Sequence, residues 1–597
     1  MHQRDVLRWS RVMAALLMMA TAACAPAAAP APSSASAPRA EAPSAAPSPR
    51  PAQASTGAPP PAAQATRVPQ PQVAATPTRV ATPVPAVQPG EKPVYGGTLT
   101  IAHRTEPATL NPFKEPSITT HHVTFPIYEY VLRRDPLDPW NKIVPDLAES
   151  WEVSPDGRVY TFRLRKNVQW QDGKPFSAED VAFFLKTKAN PPSTRIALAA
   201  YYRSITKVEI VDPYTVRATL ERPDSVFLMH VSESRQPITP AHLMKDANGK
   251  YTDKVLDVRA IGTGPFKLKD WRHGVSVVLE KNPQYRIKGL PYLDGITYYI
   301  IPDRSTQFAA FRSGRVDLTS VGGGTYLTPP ELKIVKEQLT GKASIYLVKT
   351  ALQYAVRFNP ALKPFDDLRV RRAVHLATNR QAALDLLADG IGVMGGAIYP
   401  SPWSMPQSEV IKMPGFRQPK DQDVAEAKKL MAEAGYASGT DFILAVRQPD
   451  QKEGEWLQNE MSKIGLRAKL RVLPLTAYYD SSSKHEFPAY FQLLSMPTGH
   501  PDDIAEYYTS SGQVYSQIAD PKVDALFDKV AQTVNEADAR KLSAALDRYL
   551  SVEQVLGVVI AHPDGYRAAW NRVRNLHLDG AGQLDSQRYE DTWKTGE

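Results

Sequence analysis

From Ala25 to about Pro93 the chain consists almost entirely of Ala, Pro, Ser, Thr, Gln and Val and contains no aromatic residue. Such a stretch cannot bury enough apolar surface to offset the entropy of ordering it, and its proline density favours extended, polyproline-like conformers. Folding is thereby confined to the residues that follow. The stretch reads as a semi-rigid tether, with a mucin-like glycosylated stalk as the alternative.

Ahead of the tether, Arg4, Arg8 and Arg11 precede the apolar run Val12 to Ala20. A charged segment before a short apolar one is the pattern of a secretory signal, and the run is too short to span a bilayer. Thr21-Ala22-Ala23-Cys24 resembles the bacterial lipobox, in which small residues precede a cysteine that is diacylated and becomes the new N-terminus. Thr21 stands where an aliphatic residue is usual. Cys24 is the chain's single cysteine, so no intramolecular disulfide and no cysteine metal site can form. It is read as the lipidation site; an ordinary signal peptide with an incidental cysteine is the alternative.

With 597 residues and a soft prior of roughly 150 residues per domain, more than one globular unit is expected. The content of 22% charged and 43% hydrophobic residues excludes both a membrane bundle and a wholly disordered chain. Net charge is +9, but no basic run is interleaved with stacking aromatics. Arg163, Arg165 and Lys166 are soon followed by Asp172. A solvated surface is therefore expected, without nucleic-acid binding.

Order begins at Val94 to Ala102, where two glycines precede an alternating apolar run, the signature of a strand. Trp151 and Val153, then Tyr160, Phe162 and Leu164, alternate with polar residues around Ser154-Pro155-Asp156-Gly157, which predicts a hairpin. Ser177, with Asp180 three residues on, predicts a capped helix carrying Val181, Phe184 and Leu185 on one face. Strand-like and helix-like segments alternate to the C-terminus, so mixed α/β lobes are expected.

No specific catalytic pattern is present: no G-x-S-x-G, no H-E-x-x-H, no P-loop. Gly262-Thr263-Gly264-Pro265 leads into the strand-like Pro265 to Leu268 and reads as a tight turn. A phosphate cradle would need a helix there. His121-His122 cannot readily share one ion, because adjacent side chains diverge on either a strand or a helix; they are expected as two partly exposed histidines. Asp366-Asp367 and Asp502-Asp503 sit beside prolines, where capping and turn roles are expected. The expectation is a chain without enzymatic activity, cofactor or metal.

Val144-Pro145-Asp146-Leu147-Ala148-Glu149-Ser150-Trp151, Ser154 to Gly157, Tyr160 to Lys166 and Trp170 to Val181 closely resemble the most recognisable segment of the extracellular solute-binding proteins of family 5. That family includes dipeptide, oligopeptide, nickel and some oligosaccharide binders of ABC importers. Ile261 to Phe266, Asn282 to Tyr285, Ser313 to Asp317, Phe365 to Ala373 and Ala432 to Tyr436 continue the resemblance in order, from about residue 94 to the C-terminus. One departure is Asn379 before Arg380, where the family usually has Asp; Asn can still cap there.

The resemblance implies a two-lobed, periplasmic-binding-protein-like α/β fold with the second lobe inserted into the first. Its expected divisions are a lipoprotein signal at 1–23, a disordered tether at 24–93, lobe one at 94–349, lobe two at 350–558 and a return segment of lobe one at 559–597. The outbound crossing is expected near Tyr346 to Thr350 and the return near Val558 to His562. The resemblance further implies that the chain works as a monomer. It would be anchored by lipid outside the cytoplasm, capture a peptide or peptide-like solute by hinge closure and hand it to permease subunits. An oligosaccharide or metal chelate is the alternative ligand. An extracellular hydrolase and a cell-surface display protein are the alternative classes.

Matching the family's pocket segments implies ligand contacts from Thr105, Glu106, Arg235, Trp403, Arg447, Met496 and His500. Dipeptide-binding relatives hold the ligand's ammonium with an Asp in the region matching Ser495-Met496-Pro497, where no acid stands here. Burying an ammonium without a carboxylate is costly, so a simple dipeptide is disfavoured as ligand on sequence alone. For the anchor, Cys24→Ser should release the protein from the membrane fraction without impairing its folding. Fractionation and a melting curve check this, and undiminished membrane association refutes it.

Overall fold

The computed structural model describes residues 91–596 except positions 116, 137, 139, 141, 193–195, 197, 234, 247–250, 258, 320–325, 497, 511–519 and 578–587. The signal-like segment, Cys24 and the tether to residue 90 lie outside the described residues. No helix among those described is long and apolar enough to cross a membrane.

The first sheet starts where the alternating run predicts it. The strand Thr98–His103 pairs in parallel with Gly295–Ile300, followed outward by antiparallel Ser276–Lys281 and Phe266–Arg272. Leu318 bridges Ile101 on one side and Ala569 on the other. It thereby continues this sheet into the antiparallel pair Ala343–Val348 and Gly565–Trp570.

A second, antiparallel sheet holds the predicted hairpin, Ala148–Val153 with Val159–Leu164, then Thr215–Leu220 and Ile205–Asp212. At its turn the Gly157 amide donates to the Ser154 carbonyl at 2.8 Å. The helix Ala178–Ala189 covers this sheet. Its capping box is formed as expected: Glu179 N donates to Ser177 Oγ at 3.3 Å, and Ser177 N to Asp180 Oδ2 at 3.0 Å. Two of the sequence motifs meet here. Gln171 exchanges bonds with Gly262, and its amide also donates to the Phe266 carbonyl at 2.7 Å. Gly262 must be glycine, since a Cβ would lie 1.9 Å from the Ile127 carbonyl oxygen.

The third sheet has six strands in the order Gly392–Val393, Gly557–Pro563, Leu352–Phe358, Ala489–Ser495, Thr440–Arg447, Leu466–Leu473. Val356, Phe358, Leu444 and Phe491 bury one face under the helices Leu368–Ala377, Asp421–Glu433 and Gln451–Ser462. Asp367 and Asn379 cap helices, accepting from Arg369 N and Ala382 N, as the sequence suggested.

The chain passes from the first body of sheet to the third between Val348 and Leu352, and comes back between Pro563 and Gly565. The expected return at Val558 to His562 falls on a strand of the third sheet, with the recrossing just beyond it at Asp564. The two passages lie side by side. Asp564 accepts from the Thr350 amide at 3.3 Å, pairs with Lys349 at 3.3 Å and accepts from the Tyr399 hydroxyl at 3.3 Å. Ala351 sits at φ 55°, a left-handed conformation costly for a residue with a Cβ and held by the surrounding contacts.

Six charged side chains far apart in sequence are buried together in the first lobe. Arg588 contacts Glu129 and Asp146, each at 2.8 Å, and Glu590 at 3.3 Å. Arg286 contacts Glu129 at 2.8 Å and Asp146 at 3.0 Å, and Arg133 contacts Glu590 at 3.0 Å. Removing one partner of such a set leaves an uncompensated buried charge. Arg588→Met should therefore cost about 3–5 kcal/mol of stability, read from denaturant midpoints; a loss within experimental error would show that the cluster is not needed.

Candidate functional site

The two lobes meet along a seam, and a cavity of about 590 Å³ opens there. Tyr201, Asp224, His230 and Arg235 line it from the first lobe, and Ser495, Asp502, Asp503 and Glu506 from the second. The first wall comes from the short turn Ala199–Tyr202, the helix Phe227–Val231 and the chain that follows it. The second is the loop leaving the strand Ala489–Ser495 and entering the turn Pro501–Ile504.

That loop is locked by its own side chains. Thr498 Oγ1 accepts from His500 N at 3.1 Å, His500 Nδ1 accepts from Asp502 N at 3.0 Å, and Asp503 Oδ2 accepts from Thr498 N at 2.9 Å. Gly499 is at φ 64°, and a Cβ there would come within 2.6 Å of the Trp140 ring. Only glycine lets the loop approach the first lobe this closely. Trp140 also stacks on Tyr399, ring centroids 5.2 Å apart at 17°.

Across the seam, His230 Nε2 lies 3.1 Å from Asp502 Oδ2, and the His230 ring lies flat on Tyr201 at 4.2 Å and 7°. Burial opposes the charged imidazole, but Asp502 outweighs it and raises the His230 pKa. Burial pushes Asp503 up to about 7 and His500 down to about 3. Arg235 is already paired with Glu233 at 2.6 Å, and Arg222 with Asp528 at 3.0 Å. The cavity therefore carries a surplus of carboxylates.

The residues expected at the site divide into three groups. Arg235 lines the cavity. His500, Trp403 and Met496 support the second wall from within: Trp403 is 3% exposed and meets His500 edge-on at 4.4 Å, while fully buried Met496 offers its sulfur to the Tyr399 amide at 3.2 Å. Thr105, Glu106 and Arg447 are not among the residues lining this cavity. Thr105 bonds Thr119 at 3.0 Å, and Glu106 braces a hairpin by accepting from Trp271 at 2.8 Å, His273 at 2.6 Å and Gly274 N at 2.9 Å. Arg447 pairs with Asp450 and donates to the Tyr479 hydroxyl. Ser234 and Pro497, in the matched pocket segments, lie outside the described residues.

One expectation changes. His121 and His122 are buried on the helix Ile118–Thr124, where partial exposure was expected, because their helix packs into the first-lobe core. Asp502 and Asp503, expected in capping and turn roles, also line the cavity. His230 carried no sequence signal, since its partner is 272 residues away.

The profile of the bacterial extracellular solute-binding proteins, family 5, matches residues 142–516. The chain is 30% identical over 370 residues to the glutathione-binding protein GsiB of Salmonella choleraesuis, covering 61% of this chain and 67% of that one. It is 28% identical over 480 residues to di/tripeptide-binding protein 1 of Pseudomonas aeruginosa, covering 74% and 84%. Its fold is similar to that of the binding protein AgaA from A. tumefaciens R10, solved with agropinic acid, at a TM-score of 0.68 and 24% identity, covering 84% and 99%.

Because Trp403 is packed beneath the loop, Trp403→Ala should lower stability by about 3–5 kcal/mol, as large-to-small core changes do. Unchanged denaturation together with weakened solute binding would instead make Trp403 a direct ligand contact.

Proposed function

The chain belongs to family 5 of the bacterial extracellular solute-binding proteins, the substrate-binding components of ABC importers, and from that premise we propose that it captures a peptide or peptide-like solute in the seam cavity. One observation carries this reading. The cavity's walls come from two bodies joined by only two adjacent chain crossings, an arrangement suited to hinge closure. A solute touching both walls stabilises the joined lobes by its differential affinity, and the permease can then distinguish loaded from empty protein.

The proposed division keeps lobe one at 94–349 and places its return from about Asp564, with lobe two between. Cys24 carries the lipid that holds the protein outside the cytoplasm, and the protein acts as a monomer, its macromolecular partner being the permease. Glutathione and di- or tripeptides, named for two relatives, are solutes with a free ammonium group. The carboxyl groups of Asp224 and Glu506, on opposite walls of the cavity, support a cationic end on the solute here as well. The sequence-based objection to dipeptides rested on a missing acid, which these residues supply.

Native mass spectrometry of gently purified protein should reveal a retained solute. Calorimetric titration should then show that peptides with a free N-terminus bind at least about tenfold tighter than their N-acetylated forms, a difference of roughly 1.4 kcal/mol. Equal affinities would remove the cationic-end reading, and no binding to any peptide would remove the peptide class.

A further inference from the structure

Of the contacts across the seam, that between His230 and Asp502 joins an imidazole of one lobe to a carboxylate of the other at 3.1 Å. His230 is 5% exposed. Facing it are Tyr201 from the preceding turn, Asp224 from the segment leading into its own helix, and Asp502, Asp503 and His500 from the opposite lobe. Arg134 and Arg235 stand nearby: Arg134 beside Asp503, and Arg235 held by Glu233. Of the acids around this imidazole, Asp502 and Asp503 reach it from the opposite lobe.

We propose that His230, Asp502 and Asp503 form a proton-operated latch, such that joining the lobes takes up protons and solute capture weakens as the medium turns alkaline. The proposal rests on the reading of the seam as a closing solute site.

With the lobes apart, His230 and Asp503 face water and titrate near their ordinary values, about 6.5 and 3.9. With the lobes joined, His230 is raised because its bond to Asp502 and the charges of Asp224 and Asp503 overcome burial. A raised histidine contributes fully below its ordinary pKa, and the contribution is lost as pH rises through the raised value. Asp503 is raised to about 7 by burial. Joining the lobes therefore carries no charge penalty at Asp503 while it is protonated, and a growing one from its ordinary pKa up to about 7.

Asp224 is also raised by burial. Asp502 is held low by His230 against the opposing effect of burial, so it loses its charge only in stronger acid. His500 is buried within its own lobe, against Trp403 and bonded to Asp502 N, and stays neutral in both states. The joined state thus binds more protons through the neutral range, and its population must fall as pH rises.

The test uses the full chain with Cys24→Ser and spin labels at Lys207→Cys and Lys469→Cys, two exposed lysines, one on each lobe. Interlobe distances are measured at pH 6 and pH 8.5, alone and with a mixture of free-amine tripeptides. The ratio of joined to separated protein is expected to fall at least about threefold between the two pH values. Asp503→Asn should stay joined at pH 8.5, His230→Gln should reduce the pH response, and the double variant should lose most of it.

Equal distributions at both pH values, with the tripeptides still drawing the lobes together, would overturn the latch and leave the solute reading intact. Distances that respond to neither pH nor tripeptides would overturn both. A full pH response in the double variant would assign proton uptake to other groups and likewise overturn the latch.

Discussion

The balanced set of three arginines and three carboxylates buried in the first lobe is the constraint on which the rest of the architecture depends. Arg588 and Glu590 come from the end of the chain, Glu129, Arg133 and Asp146 from the early part, and Arg286 from between them. Burying six charges is tolerable only if each meets its opposite in good geometry. Burial opposes the charged form of Asp146, yet Arg588 and Arg286 hold its carboxyl down at about 2. The cluster can therefore assemble only after the chain has gone out through the second lobe and returned. This ties completion of the first lobe to correct insertion of the second.

The paired crossings translate that topology into possible motion. Ala343–Val348 and Gly565–Trp570 end in one lobe, while Leu352–Phe358 and Gly557–Pro563 begin and end in the other. Asp564 gathers Thr350, Lys349 and Tyr399 at the junction. Other contacts along the seam lack chain continuity: Trp140 on Tyr399, His230 to Asp502, Arg222 to Asp528, and a backbone bond from Ser225 N to the Ala531 carbonyl at 2.7 Å. Such contacts can part at the cost of solvating polar groups, whereas the crossings cannot. Among the described residues lining the cavity, Asp502, Asp503 and Glu506 stand on the second-lobe side of the seam and Asp224 on the first.

Local elements were legible wherever a residue type has a backbone consequence within a few positions. The turn at Ser154 to Gly157, the capping box of Ser177 and Asp180 and the caps at Asp367 and Asn379 all followed from short-range hydrogen bonding and sterics. The outbound crossing, expected near Tyr346 to Thr350 from the order of strands, runs between Val348 and Leu352. The return lies beyond the strand Gly557–Pro563, whose run Val558 to Ala561 gives no mark of which sheet it joins.

The sequence by itself determined the unfoldable composition of the tether, the strand and helix signals of the body, the ordered motifs of its family and the absence of cysteine chemistry beyond Cys24. These depend on composition and near neighbours. Only the tertiary structure decided that Trp403 and Met496 lie beneath the cavity wall, that Glu106 braces a hairpin, and that Asp503 and His230 share a seam. Those outcomes depend on burial and on partners hundreds of residues apart, and a side chain's charge, exposure and contacts are set by what the fold brings to it.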